Sequence, residues 1–224
     1  MGSTTKLTSS DGFELSAYRA DPEGPARGGV AVVQEIFGVN DHIRSVADRY
    51  AAAGYLAIAP AIFDRERPGI ELGYTPENIE AGRAIAMGSL DFETVLADVA
   101  AAGAAAREGG KVGVVGYCYG GRVTAACAIE HTDVFDAASS YYGGGTVGLI
   151  DQVPIVPMIM HFGERDHAIS MEDVDKIDAA WPDVTVYRYD AEHGFNCDHR
   201  ASFSAVPAAI AQARTFRFFD EKLG

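Results

Sequence analysis

The chain has 224 residues, 48% hydrophobic and 22% charged, and 32 Asp plus Glu against 18 Lys plus Arg give a formal net charge of −14. These proportions exclude a fibrous or low-complexity chain and predict one α/β domain spanning residues 1–224. An acidic surface repels phosphate backbones and anionic lipid, so neither nucleic acid nor a membrane is expected as a partner.

The N-terminus, Met1-Gly2-Ser3-Thr4-Thr5-Lys6-Leu7, lacks the basic-then-apolar layout of a signal peptide, and no apolar run approaches the ~20 residues that span a bilayer. Cys118, Cys127 and Cys197 are too few and too scattered for a disulfide framework. The expectation is a cytoplasmic protein.

Residues 6–9 and 13–19 flank Ser10-Asp11-Gly12, a tight-turn signal, and predict an antiparallel hairpin at the edge of a sheet. Residues 29–34 (GVAVVQ) read as a buried strand. Ile43, Val46, Ala47, Tyr50 and Ala51 then recur at helical spacing, with Asn40 or Asp41 as the N-cap and Gly54 just past the end. A strand at 55–59 leads into 63–75, the longest irregular stretch, of the kind that forms lids or binding loops. Further on, the pattern predicts helices over 90–107, 122–130 and 171–180, and strands at 111–115, 137–142, 155–161 and 184–189. Pro157 counts against the full extent of 155–161, because proline cannot donate to a ladder. A helix over 204–223 closes the chain, with Val206, Ile210, Ala213, Phe216 and Leu223 on one face. Short, continuously apolar strands alternating with helices predict a mostly parallel sheet covered on both faces, with chemistry at the strands' carboxyl ends.

The most informative segment is Val114-Val115-Gly116-Tyr117-Cys118-Tyr119-Gly120-Gly121-Arg122, where a strand runs into a helix through Gly-x-Cys-x-Gly-Gly. A nucleophile on such a turn is strained, and flanking glycines remove the Cβ atoms that would clash. N–H groups at a helix start favour a thiolate, and later an oxyanion. The plainer reading is a tight turn holding a buried cysteine. A working thiol needs a base, and the base an orienting carboxylate. His193 follows the last strand and Asp166 the strand before it, which gives the chain order nucleophile, acid, histidine. Glu164 and Asp173 are rivals to Asp166. Glu35 ends an apolar strand at the same edge, where a carboxylate is costly unless partnered, although a surface charge at a strand end is the alternative.

On Gln34-Glu35-Ile36-Phe37-Gly38-Val39-Asn40, Gly54-Tyr55, Gly116-Tyr117-Cys118, Gly120-Gly121, Asp166 and Ala191-Glu192-His193-Gly194, the chain resembles the dienelactone hydrolase family, the cysteine-nucleophile branch of the α/β-hydrolases. The resemblance implies an α/β-hydrolase fold and a Cys118–His193–Asp166 triad that hydrolyses a lactone or ester through a thioester acyl-enzyme, with no cofactor. It also implies an oxyanion hole from the N–H groups of Ile36 and Tyr119, and a Glu35 that contacts the resting thiol and swings away when substrate arrives. The family's two carboxylate-binding arginines fall at Glu80 and Cys197, neither of them basic, which argues against a carboxylated dienelactone as the substrate. Arg83 is the nearest substitute, ahead of Arg65 and Arg200, and Phe37 and Tyr142 are further candidates for substrate contact. The expected partner is a small lactone or ester, bound by a monomer or small homo-oligomer.

Two other classes remain open: a ligand-binding or sensing protein that retains the fold, and a redox-active thiol protein, against which the lack of a resolving cysteine near Cys118 speaks. His193-x-x-x-Cys197-x-His199 has the composition of a metal site, but no Cys-x-x-Cys or His-Glu-x-x-His accompanies it and no metal is expected. Gly143-Gly144-Gly145-Thr146 lacks the Lys-Ser/Thr of a phosphate loop and reads as a loop near the pocket. Cys127 reads as core.

Overall fold

The computed structural model describes residues 2–224. Eight strands form one sheet: β1 (Ser3–Thr8), β2 (Glu14–Ala20), β3 (Gly29–Val33), β4 (Leu56–Pro60), β5 (Val112–Tyr117), β6 (Ala137–Tyr141), β7 (Met158–Gly163) and β8 (Thr185–Tyr189). Their order is β1-β2-β4-β3-β5-β6-β7-β8. β1 and β2 form the expected edge hairpin, β2 pairs antiparallel with β4, and all later pairs are parallel. β3 to β6 are buried along their whole length, as the apolar runs require of strands covered on both sides. From β3 the chain crosses to β4 on one side and returns to β5 on the other. The carboxyl ends of β3 and β5 therefore flank a topological switch point, where open α/β sheets bind ligands.

Six α-helices pack around the sheet: α1 (Asp41–Ala52), α2 (Pro76–Ala84), α3 (Phe92–Ala106), α4 (Tyr119–Glu130), α5 (Met171–Ala180) and α6 (Ala205–Leu223). Asn40 is the N-cap of α1, its side chain accepting from the Ile43 N–H at 3.2 Å, and Gly54 follows the helix at φ 95°. α1 and α6 meet through Tyr50 and Phe216, whose ring centroids lie 5.1 Å apart. Among the described residues, no helix is long and apolar enough to cross a membrane.

Several expectations shift. β7 begins at Met158, one residue past Pro157, whose carbonyl instead accepts from Ala138 N–H at 2.9 Å. α4 begins at Tyr119 rather than Arg122, because β5 turns into it with Cys118 alone between them. The buried face of α6 is Ala208, Ala211, Thr215, Phe219 and Leu223, whereas Val206 and Ile210 are exposed. Of the expected stripe Leu223 is buried, while Ala208, Ala211, Thr215 and Phe219 take the inward places that Val206 and Ile210 were expected to hold. Within the irregular stretch, Ile62–Arg65 forms a 3-10 turn. α2 and the π-helical turn Ile85–Ser89 after it are absent from the sequence reading, although Thr75-Pro76 is a helix-start signal.

A buried polar network braces β6, β7 and β8 against α6. His161 Nδ1 lies 2.8 Å from the Tyr189 hydroxyl and Nε2 3.1 Å from Thr215 Oγ1, which also meets the Tyr141 hydroxyl at 2.7 Å. Burial lowers the His161 pKa from 6.5 to about 3, and Arg214 acts in the same direction. The unfolded chain therefore binds this proton below about pH 6.5 and the folded chain only near 3. Its contribution to stability is complete above 6.5 and is lost as pH falls toward 3. Urea unfolding at pH 7 and pH 4.5 is expected to show a loss approaching ~1.4 kcal/mol per pH unit from this group, and a shallower pH slope in His161→Gln. Equal slopes in the two proteins would contradict the assignment.

Candidate active site

Cys118 stands between β5 and α4 with φ 55° and ψ −116°, a conformation that costs a non-glycine residue about 1–3 kcal/mol. Its surroundings hold it there. Its N–H donates to the Tyr141 carbonyl at 3.0 Å and its carbonyl accepts from the Gly121 N–H at 2.9 Å. A Cβ on Gly116 would overlap the Gly120 carbonyl, one on Gly120 would lie 2.5 Å from the Val33 and Gln34 carbonyl oxygens, and one on Gly121 would lie 2.6 Å from that of Tyr141. The three glycines let β5, α4 and the end of β3 approach closely enough to fix the bend.

The Cys118 Sγ lies 3.1 Å from His193 Nε2, and His193 Nδ1 lies 2.7 Å from Asp166 Oδ2. The other Asp166 oxygen accepts from the N–H groups of Ala168 and Ile169 at 2.7 and 3.1 Å. The loops carrying the acid and the base are tied together, Glu164 N–H donating to the Tyr189 carbonyl at 2.8 Å and Arg165 N–H to that of Ala191 at 3.0 Å. Burial opposes a charged His193. A thiolate at Cys118 and the Asp166 carboxylate outweigh that opposition and raise the pKa to about 10. Asp166, not Glu164 or Asp173, meets the histidine.

These groups open onto a cavity of about 480 Å³ whose lining includes Ile36, Phe37, Cys118, Tyr119, His193 and, across from them, Ile79 and Met87. Tyr119 opens α4, where N–H groups have no intrahelical acceptor, and the Ile36 N–H has no hydrogen-bond acceptor among the described residues. A Cβ on Gly82 would overlap the Ile36 carbonyl, so α2 fits against this loop only as glycine.

Arg83, Arg122 and Arg200 also line the cavity. The sequence reading did not place Arg122 among the substrate contacts; its guanidinium stacks on Phe92 at 4.7 Å. Arg65 lies elsewhere, bonded to the buried Asp98 at 2.7 Å and to Asp11 at 2.8 Å. Tyr142 is fully buried at φ 38° and packs its ring 5.2 Å from that of His193, so it backs the histidine and does not line the cavity. Glu35 also departs from expectation. Its Oε1 accepts from Arg200 Nη1 at 3.1 Å, whereas the thiol's partner is His193. The cavity wall expected from 63–75 comes from α2 and the π-helical turn, while Gly144 and Gly145 reach the cavity as foreseen. Cys127 is buried in α4.

A parallel sheet flanked by helices, with a cysteine on the bend after β5 and a histidine after β8, defines an α/β-hydrolase-fold protein. Residues 15–223 match the Dienelactone hydrolase family. A Synechocystis sp. protein named "Putative carboxymethylenebutenolidase" is 37% identical over 233 residues, covering 94% of this chain and 93% of that one. The Pseudomonas putida carboxymethylenebutenolidase is 31% identical over 222 residues, covering 95% and 93%. A crystal structure from Klebsiella pneumoniae, described as a "Putative Dienelactone Hydrolase", superposes with a TM-score of 0.84 at 30% identity and 98% coverage of each chain. The chain belongs to the dienelactone hydrolase family and is a carboxylic ester or lactone hydrolase.

Removing the thiol tests the charge pair directly. In Cys118→Ala, burial opposes only the Asp166 contribution, and the NMR-monitored titration of His193 is expected to fall clearly below about 10. An unchanged titration would show that no thiolate supports the imidazolium.

Proposed function

We propose that hydrolysis proceeds through a thioester on Cys118, with His193 as acid and base and Asp166 holding the imidazole. The observation that carries this reading is the unbroken path Sγ–Nε2, Nδ1–Oδ2 at the floor of the cavity. The Cys118 thiolate adds to the substrate carbonyl carbon, and the carbonyl π pair moves onto oxygen. That oxyanion takes the N–H groups of Ile36 and Tyr119, an interaction of roughly 3–4 kcal/mol per donor. As the intermediate collapses, the C–O bond breaks and the leaving alkoxide takes the His193 proton. In a lactone it stays tethered to the acyl group. The neutral imidazole then takes a proton from water as its oxygen attacks the thioester. The second collapse expels the thiolate and leaves a carboxylic acid. Such a nucleophile must stay reduced, which fits a cytoplasmic setting.

The three arginines at the cavity support a substrate bearing an acidic group beside its ester or lactone. They reopen the class that the non-basic Glu80 and Cys197 argued against, since the cations come from other positions.

Cys118→Ala is expected to abolish turnover of a chromogenic short-chain ester while keeping the wild-type circular dichroism spectrum. Mass spectrometry of the wild type after rapid quenching should show an acyl adduct on Cys118. Turnover retained in the variant would remove the mechanism, and a wild type with neither turnover nor adduct would leave the sensing alternative. Arg122→Met should lower kcat/KM about tenfold more for a carboxylated ester than for its neutral analogue, or ~1.4 kcal/mol. Equal losses would refute an anionic substrate.

A further inference from the structure

Behind the cavity floor, Glu35, His42 and Cys197 converge from three segments: the end of β3, the first turn of α1 and the loop after His193. One carboxylate oxygen, one imidazole nitrogen and the sulfur lie within 4.8 Å of one another, and all three residues are buried. Glu35 is 1% exposed, His42 and Cys197 0%. Glu35 Oε2 and His42 Nε2 have no hydrogen-bonding partner among the described residues. Cys118, His193 and Asp166 make no hydrogen bond to this cluster, and the sequence reading placed Cys197 with His193 and His199 instead.

We propose that Glu35, His42 and Cys197 form a buried site for one divalent transition-metal ion of the zinc type, separate from Cys118 and His193.

The donor set is carboxylate, imidazole and thiolate, a combination that suits a borderline-soft dication and not calcium or magnesium. His42 is already oriented as a ligand. Its Nδ1 lies 2.9 Å from Asp198 Oδ1, the carboxylate–histidine arrangement that fixes the tautomer and leaves Nε2 as a lone pair facing the cluster. Bonds of 2.0–2.3 Å place tetrahedral ligand atoms roughly 3.5 Å apart, so closure requires the longest separation to shorten by roughly an ångström. Arg200 holds Glu35 by Oε1, leaving Oε2 for the ion.

Binding breaks the Cys197 S–H bond, the proton leaves to solvent and the sulfur lone pair forms the metal–sulfur bond. The charges then balance, with Glu35, Cys197 and Asp198 against Arg200 and a dication. A fourth position is left for water.

The test is titration of Co²⁺ into reduced, metal-free full-length protein, followed by displacement with Zn²⁺. One ion per chain is expected, with a thiolate-to-cobalt charge-transfer band in the wild type and in Cys118→Ser. The band should vanish in Cys197→Ser, and affinity should fall at least tenfold in His42→Gln and about tenfold in Asp198→Asn. Asp198 is half-exposed, so its variant tests the site even if Cys197→Ser does not fold. Failure to bind Co²⁺ stoichiometrically would overturn the proposal. So would a band that survives in Cys197→Ser and is lost in Cys118→Ser, since that places the metal on the hydrolytic thiol. The first of these results leaves acyl transfer by Cys118 untouched.

Discussion

The bend at Cys118 is the constraint from which the rest of the site follows. A left-handed φ at a residue with a side chain is unfavourable, and it persists only where neighbours over-determine it. Here they do so from three directions: Gly116 in β5, Gly120 and Gly121 in α4, and the carbonyls at the end of β3. The parallel register that sets Val33 beside Gly116 brings the Ile36 loop to the same height as the sulfur. Tyr142, the other non-glycine residue at positive φ among those described, ends the adjacent strand β6 and supports the back of His193. Two strained residues on neighbouring strand ends thus aim the thiol and seat its base.

Electrostatics at the site runs opposite to that of the whole chain. A net charge of −14 is a statement about the far field, and exposed charges beyond about 8–10 Å are screened at physiological salt. Inside the cavity the local groups decide, and its charged lining is cationic: Arg83, Arg122 and Arg200. Global acidity therefore carries information about nucleic acid and membrane surfaces, but little about a small anion that reaches the cavity.

What could be read from the sequence was whatever local chemistry dictates. Five- to seven-residue apolar runs gave six of the strands nearly in place, and Asp11-Gly12 gave the hairpin that supplies the other two. Cys118, Asp166 and His193 were visible because each follows a strand and the chain order is restrictive. What failed was information held in the third dimension. The buried face of α6 depends on how closely the sheet approaches, which favours Ala208 and Ala211 over Val206 and Ile210. α2 has a legible cap but weak apolar periodicity, and only its fit of Gly82 against Ile36 reveals why it is there. Arg122 sits in a helix next to the nucleophile, and no spacing rule marks it as facing the cavity.

The loop from His193 to Phe203 shows how one short segment can serve several chemistries. Its backbone forms successive turns, with Cys197 N–H bonded to the Gly194 carbonyl at 2.9 Å, Arg200 N–H to that of Cys197 at 3.1 Å and Phe203 N–H to that of Arg200 at 3.1 Å. Gly194 at φ 78° lets the Arg200 guanidinium lie against its backbone, where a Cβ would overlap it. A cation is thereby moved three residues along from the position where the family resemblance expects one, and a thiol is left in its place. Both groups then converge on Glu35. One of its oxygens faces Arg200 at the cavity, and the other belongs to the cluster with His42 and Cys197. To turn toward the thiol of Cys118, Glu35 would give up Arg200 in a buried setting, a step whose cost is that of leaving a buried ion unpaired. In this chain Glu35 is partnered by Arg200, and the Cys118 sulfur by His193.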